Sequence, residues 1–333
     1  MRFFRYLLGA LFIGITIWII YPKLADSIKD APLLFREANK SLLLLLVVFQ
    51  GLAYFGDGWL SKILLGMADF KIKLKDTIRV AILGVIGSQI IPVFGGTAIT
   101  YHIYRKFGVS FNNTVFLVFA WTFFVWVIYL LSLILSLLFI PKSYFYLLSL
   151  ENILIGAAFL LVAGYLLLRR RGRTLVNLGL FLIKLINKII SYFTDKKIIK
   201  LDKVRILINE FFQDLELVKK HKAKFGQALL AAFLFYAGNL ATLYISFLVF
   251  GFKPEFALLV LGYVLAWILA VLILVPETPG VIEASLVGVF IALGFPAHIS
   301  LLASLLFRLF SYWLPLPLAA YSYLKLKRKF VIK

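Results

Sequence analysis

Arg308 and Glu283 are charged residues set inside apolar runs, Leu306-Phe307-Arg308-Leu309-Phe310 and Val281-Ile282-Glu283-Ala284. A charge at membrane depth costs several kcal/mol unless it is paired or hydrated, so each is a functional candidate. Arg308 stands about ten residues into its run, roughly 15 Å at the helical rise. Glu283 is expected at a similar depth, and pairing the two would lower the cost of both. Such a pair can simply lock helix packing. Alternatively Arg308 can hold a phosphate, whose oxygens a guanidinium matches in geometry.

Two apolar segments break in the same way. One reads Pro92-Val93-Phe94-Gly95-Gly96 and continues to Gly108-Val109-Ser110; the other reads Pro276-Glu277-Thr278-Pro279-Gly280 and continues to Gly294-Phe295-Pro296. Thr278 as N-cap with Pro279 at the first helical position is a good helix start, and Thr97 can cap the first. Free N–H groups and the dipole at such starts favour an anion. Gly95, Gly96 and Gly280 would let the backbone approach a headgroup closely. Glu277 is either a proton or headgroup site or an exposed loop acid. Asp57 and His102 are candidates for a proton relay, against a hydrated interfacial acid and a packing histidine. Trp121, Trp126, Trp267 and Trp313 read as belt or packing aromatics. The second break carries the charges and is the stronger candidate.

Other chemistry is excluded. There is no cysteine, the three histidines lie far apart, and no phosphate loop, zinc signature or nucleophile elbow occurs. No metal, cofactor or catalytic residue is expected.

The elements that must position these residues are membrane helices. Hydrophobic residues make up 63% of the 333 positions and the mean hydropathy is +0.99, well beyond a soluble domain. The fold class is all-α, a polytopic integral membrane protein. Full spans fall near 3–21, 42–66, 112–140, 150–168, 226–250 and 298–324, with the broken segments at 77–107 and 255–295. The first run follows Arg2 and Arg5 but lacks a small-residue cleavage site, so it reads as an uncleaved span.

Lys and Arg outnumber Asp and Glu by 36 to 15. Counted by loop, 29 of the basic residues fall on one side of the spans and 6 on the other, with Arg308 inside. That places both termini in the cytoplasm of a multi-pass cell-membrane protein and makes nucleic acid an unneeded partner. Six full spans return the chain to its starting side. The broken segments are therefore read as re-entrant hairpins entering from opposite faces, a pseudo-inverted pair, with two proline-kinked spans as the alternative. As one rod, 77–107 would run about 46 Å, too long for a flat span. Residues 169–225 form a basic amphipathic insertion, lying on anionic lipid or packed as a cytoplasmic helical hairpin. The chain is otherwise one domain, 1–333.

The second break and the last span together resemble the transmembrane region of the lysylphosphatidylglycerol synthase family, a flippase-like domain. The resemblance rests on Pro276 to Gly280, Glu283, Gly294-Phe295-Pro296 and Arg308-Leu-Phe-Ser-Tyr312-Trp313-Leu-Pro315. It adds Tyr312 to the candidate lipid-binding residues. Gly96-Thr97 stands where the family often carries Gly-Glu, and Ala120-Trp121 where it often carries charges. No counterpart of the family's soluble aminoacyl-transferase domain is found in the 333 residues. The resemblance therefore implies translocation of a phosphate-bearing lipid between leaflets: an aminoacyl-phospholipid, a phospholipid or a polyprenyl-phosphate carrier. The rivals are the membrane subunit of a lipid-modifying transferase encoded separately, a lipid-presenting scaffold and a transporter of soluble solutes. Expected partners are membrane lipids, anionic ones above all, and homo-oligomerisation stays open.

Overall fold

The computed structural model describes residues 38–90, 95–140, 222–272 and 281–331. The expected spans at 3–21 and 150–168, and nearly all of the basic tract, lie outside these residues. All regular structure in the described residues is helical, as it must be where no water is present to satisfy backbone groups. We number the helices α1 (Leu43–Met67), α2 (Leu74–Ile90), α3 (Gly95–Arg105), α4 (Phe111–Phe139), α5 (Lys222–Val249), α6 (Phe256–Leu272), α7 (Val281–Ala292), α8 (Ala297–Arg308) and α9 (Pro315–Val331). Four helical runs are long and apolar enough to cross a membrane: Lys40–Met67, Phe111–Phe139, Ala223–Val249 and Ala297–Phe330. Phe256–Ala270 and Val281–Ala292 are apolar but shorter.

Helices α1, α3, α5 and α7 end alike. Each is followed by a residue with positive φ: Asp69 at 63°, Gly108 at 84°, Gly251 at 73° and Gly294 at 85°. The next N–H then reaches back five residues, from Phe70 to Leu65, Val109 to Tyr104, Phe252 to Phe247 and Phe295 to Phe290, at 3.0–3.2 Å. This is a left-handed helix cap, which satisfies carbonyls the helix end would orphan. After the second of these turns the Ser110 hydroxyl accepts from the Asn113 N–H at 3.2 Å and opens α4.

The caps mark out one unit used twice: a long helix, a capped turn, a shorter helix, a break, a shorter helix, a capped turn, and a long run. Helices α2 and α3 lie antiparallel, since a Cβ on Gly84 would sit 3.7 Å from the Thr100 hydroxyl. Helices α6 and α7 do likewise, with Gly262 directly against the Phe290 ring. The contacts straddle Pro92 and Pro276 symmetrically in sequence.

The two units run in opposite directions, and the crossing of α1 and α5 shows it. A Cβ on Gly56 would meet the Phe235 nitrogen at 2.4 Å and the Ala231 carbonyl oxygen at 2.8 Å. A Cβ on Gly238 would meet the Ala53 nitrogen at 2.6 Å and the Phe49 carbonyl oxygen at 2.7 Å. Gly238, Phe235 and Ala231 lie 182 positions beyond Gly56, Ala53 and Phe49, so the same contact is made in both directions. The positions also run oppositely, from Phe49 to Gly56 on α1 against Gly238 to Ala231 on α5, so the helices are antiparallel and a two-fold axis lies between them. Glycine is required because the backbones touch, the usual device of packing between membrane helices.

Away from the crossing, the far end of α9 is tied to the base of the α2–α3 pair. Asp76, fully buried, accepts from Arg79 at 3.2 Å and from the Lys329 ammonium. Lys329 also lies 4.7 Å from the centroid of the Phe107 ring, which packs edge-on against Phe330 at 4.8 Å. A buried carboxylate in the first turn of α2 also suits the helix dipole.

Candidate functional site

Arg308 is the last residue of α8, and the next turn is irregular for a chemical reason. Pro315 has no N–H to give the Ser311 carbonyl four residues back, so the helix widens into a π-turn over Leu309–Trp313. Leu314 N–H bonds the Leu309 carbonyl at 2.8 Å, and the freed Ser311 carbonyl accepts the Tyr54 hydroxyl of α1 at 2.9 Å. The widened turn brings the Tyr312 ring to 4.0 Å from the Arg308 guanidinium carbon, a cation–π stack.

Arg308 Nε donates to Glu283 Oε1 at 2.9 Å, joining α8 to α7. The residue is 5% exposed, and its Nη2 is buried with no hydrogen-bond partner. The pair therefore neutralises the guanidinium without saturating it. A buried donor left over on a cation is costly, and it is met most simply by an oxyanion.

Arg308 also lines a cavity of about 350 Å³ between α1, α2, α3, α4, α5 and the π-turn, with Trp267 of α6 at its edge. Tyr54, Asp57, Thr97, Trp121 and Asn239 share the wall. Asp57 Oδ1 accepts the Trp121 indole N–H at 2.8 Å, and Trp121 packs edge-on against Phe235 at 5.4 Å. Gly96 and Thr97 belong to the first turn of α3, so the positive end of that helix's dipole lies on the same wall as the guanidinium.

The structure thus gathers Arg308, Tyr312, Gly96, Thr97 and Asp57 around one cavity, with Gly95 opening α3 beside it and Glu283 behind Arg308. His102 is exposed and is not among the cavity-lining residues. Glu277, Thr278 and Gly280 lie outside the described residues. Sequence reasoning missed Gln50, Tyr54, Thr100 and Asn239, and set Trp121 and Trp267 aside as aromatics. One signal was present: Tyr54-Phe-Gly-Asp57 recurs as Tyr236-Ala-Gly-Asn239, 182 residues later. Asp57 and Asn239 are thus counterparts in the two units, and both face the cavity.

A family model described as the lysylphosphatidylglycerol synthase TM region matches residues 5–319. The chain belongs to that family. No curated protein matches it. Family membership and the four apolar helical runs together make it a multi-pass membrane protein with a lipid-related role. In this member of the lysylphosphatidylglycerol synthase TM family, the described residues contain no group of three His, Cys, Asp or Glu that could hold a metal. The cavity offers a cation, a helix start, one carboxylate and several amides and hydroxyls. That is equipment for binding a polar, anionic group.

Proposed function

We propose that the protein moves a phosphate-bearing lipid between the leaflets of the cell membrane. The observation that carries this is the unsaturated guanidinium: Arg308 is buried, held on one side by Glu283, and keeps Nη2 unpartnered beside a cavity that the start of α3 also faces. In this reading α2–α3 and α6–α7 are re-entrant hairpins entering from opposite faces, alongside six full spans and with both termini cytoplasmic. Inverted units of broken helices are the arrangement that lets a binding site near the midplane be reached from either side. The headgroup passes along the cavity while the acyl chains stay in the bilayer, and Glu283 steadies Arg308 when phosphate leaves.

A second reading, the membrane subunit of a lipid-modifying transferase, is favoured by the synthase that gives the family its description. The same cavity would then present a lipid to a separately encoded enzyme.

Reconstitution into liposomes separates the two. Movement of labelled phospholipid by the wild-type chain, lost in Arg308→Gln and Glu283→Gln at normal protein levels, is the expected result. Full activity in Arg308→Gln overturns the proposal. Absence of any movement, with product formed on addition of a soluble transferase, favours the second reading.

A further inference from the structure

Three helices lead from the site to one cluster of aromatic rings. Helix α5 carries Asn239 on the cavity wall and Phe247 near its end; α7 carries Glu283 and Phe290; α8 runs from just past Phe295 to Arg308. Phe247, Phe290 and Phe295 pack on one another with ring centroids 5.1–5.5 Å apart. Between rings and site, each helix carries fully buried hydroxyls: Thr242 and Ser246 on α5, Ser285 on α7, Ser300 and Ser304 on α8. Thr242 and Ser246 donate to carbonyls of their own helix at 2.8 Å. Ser285, Ser300 and Ser304 have no hydrogen-bond partner. A buried polar atom without a partner is costly, so apolar side chains would fill this seam better if packing were its only role.

Arg308 thus stands between two polar tracts that lead in opposite directions. The cavity reaches Val80 and Tyr104, one turn from Asp76 and next to Arg105, at the end where Lys329 is bound. The hydroxyl seam leaves Arg308 the other way, toward Phe295. Helix α8, the π-turn and α9 form one run long enough to cross a membrane, so its Phe295 and Lys329 ends lie toward opposite faces. Counted from the helix starts at Ser110 and Pro296, Ser304 and Arg308 hold the places of Val118 and Thr122, which line the cavity in the other unit. Counted from the capped turns, Phe290 holds the place of Tyr104, also on the cavity wall. The seam is therefore the cavity's counterpart, filled by rings instead of open. We infer that it is a second access route to Arg308, from the face opposite Lys329, which Phe290 closes in this structure. This rests on the reading of Arg308 as the headgroup's station and adds the way in from the other leaflet.

The chain has no cysteine, so single cysteines report access without background. Ser304→Cys, Leu302→Cys and Lys327→Cys are made in the full chain and reconstituted into sealed vesicles. The impermeant anion sulfonatoethyl methanethiosulfonate is then added to one face at a time. Leu302 is buried on the far side of α8 from Ser304, and Lys327 is exposed near the end of α9. Ser304→Cys is expected to react from the face opposite Lys327→Cys. Phe290→Ala should raise that rate about tenfold by favouring the open state, with Leu302→Cys unmoved. Phe290→Leu, a milder change, keeps the test intact if thermal unfolding shows that Phe290→Ala does not fold. Reaction of Ser304→Cys from the Lys327 face alone, a rate insensitive to the Phe290 variants, or an equal rise at Leu302→Cys overturns the route. A rise at Ser304→Cys in vesicles that move no labelled phospholipid keeps the route and overturns lipid movement.

Discussion

The two antiparallel helix pairs are copies of one device built for different work. In α2–α3 the contact is loose: Gly84 faces Thr100 at ordinary distance, and Gly96, Thr97 and Thr100 turn a polar strip onto the cavity. In α6–α7 the contact is tight: the Phe290 ring sits in the space a side chain would need at Gly262. There Phe290 stacks on Phe295 at 5.1 Å and meets Phe247 edge-on at the same distance. Val281, Ile282, Ser285 and Leu286 of α7 are fully buried. One pair lines the site and the other braces it, and the Arg308–Glu283 ion pair is where the brace touches the site. An inverted repeat need not divide its labour evenly. Small residues facing a wall leave room for a ligand, whereas aromatic rings fill that room.

Three measurements sharpen or break this contrast. The largest effect belongs to the crossing that relates the two units. Gly56→Ala and Gly238→Ala each drive a methyl into backbone, so each should cost about 3 kcal/mol or more, and the two costs should be alike. Unfolding midpoints in detergent that differ widely between them would break the two-fold relation.

Next comes the contrast of the pairs themselves. Gly262→Ala forces the Phe290 ring out of a packed cluster, at about 1–3 kcal/mol, while Gly84→Ala should stay within about 0.5 kcal/mol. A tolerant Gly262 would mean that α6–α7 is not the brace. The smallest effect compares counterpart tyrosines. Tyr54→Phe deletes the hydrogen bond that satisfies the Ser311 carbonyl, about 1 kcal/mol. Tyr236 has a buried hydroxyl with no hydrogen-bond partner, so Tyr236→Phe should be neutral or slightly stabilising. Thermal unfolding of the two variants side by side reads the difference, and equal losses would remove the asymmetry at these sites.

Much of the helical frame was legible in the residues. Long apolar runs can only be helices where backbone groups have no water to bond. Gly108 and Gly294 announced their turns because left-handed backbone strongly favours glycine. Arg308 and Glu283 announced each other, since neither charge is tolerable alone at depth, and they stand 2.9 Å apart. The weight given to the second break was less sound as a guide to the cavity. That judgement followed charge, whereas among the described residues the cavity wall is built largely from neutral residues of α1, α2, α3 and α4. Gln50, Asn239 and Trp121 look like any polar or aromatic residue in a span until the helices they meet are known.

Local chemistry alone therefore determined the helices, the lone charges and the paired breaks, because each depends on neighbours within a turn or two of chain; the expected cap at Thr97 failed, since α3 already starts at Gly95. Only the tertiary structure decided that α1 and α5 cross glycine to glycine, and that this crossing turns Asp57 and Asn239 onto one cavity. It also decided that the loose pair gives the cavity its strip of small and hydroxyl residues, while the tight pair reaches Arg308 through Glu283. Those outcomes depend on which backbones can approach to touching distance. Residues 182 positions apart set that distance, and no local pattern shows that they will meet.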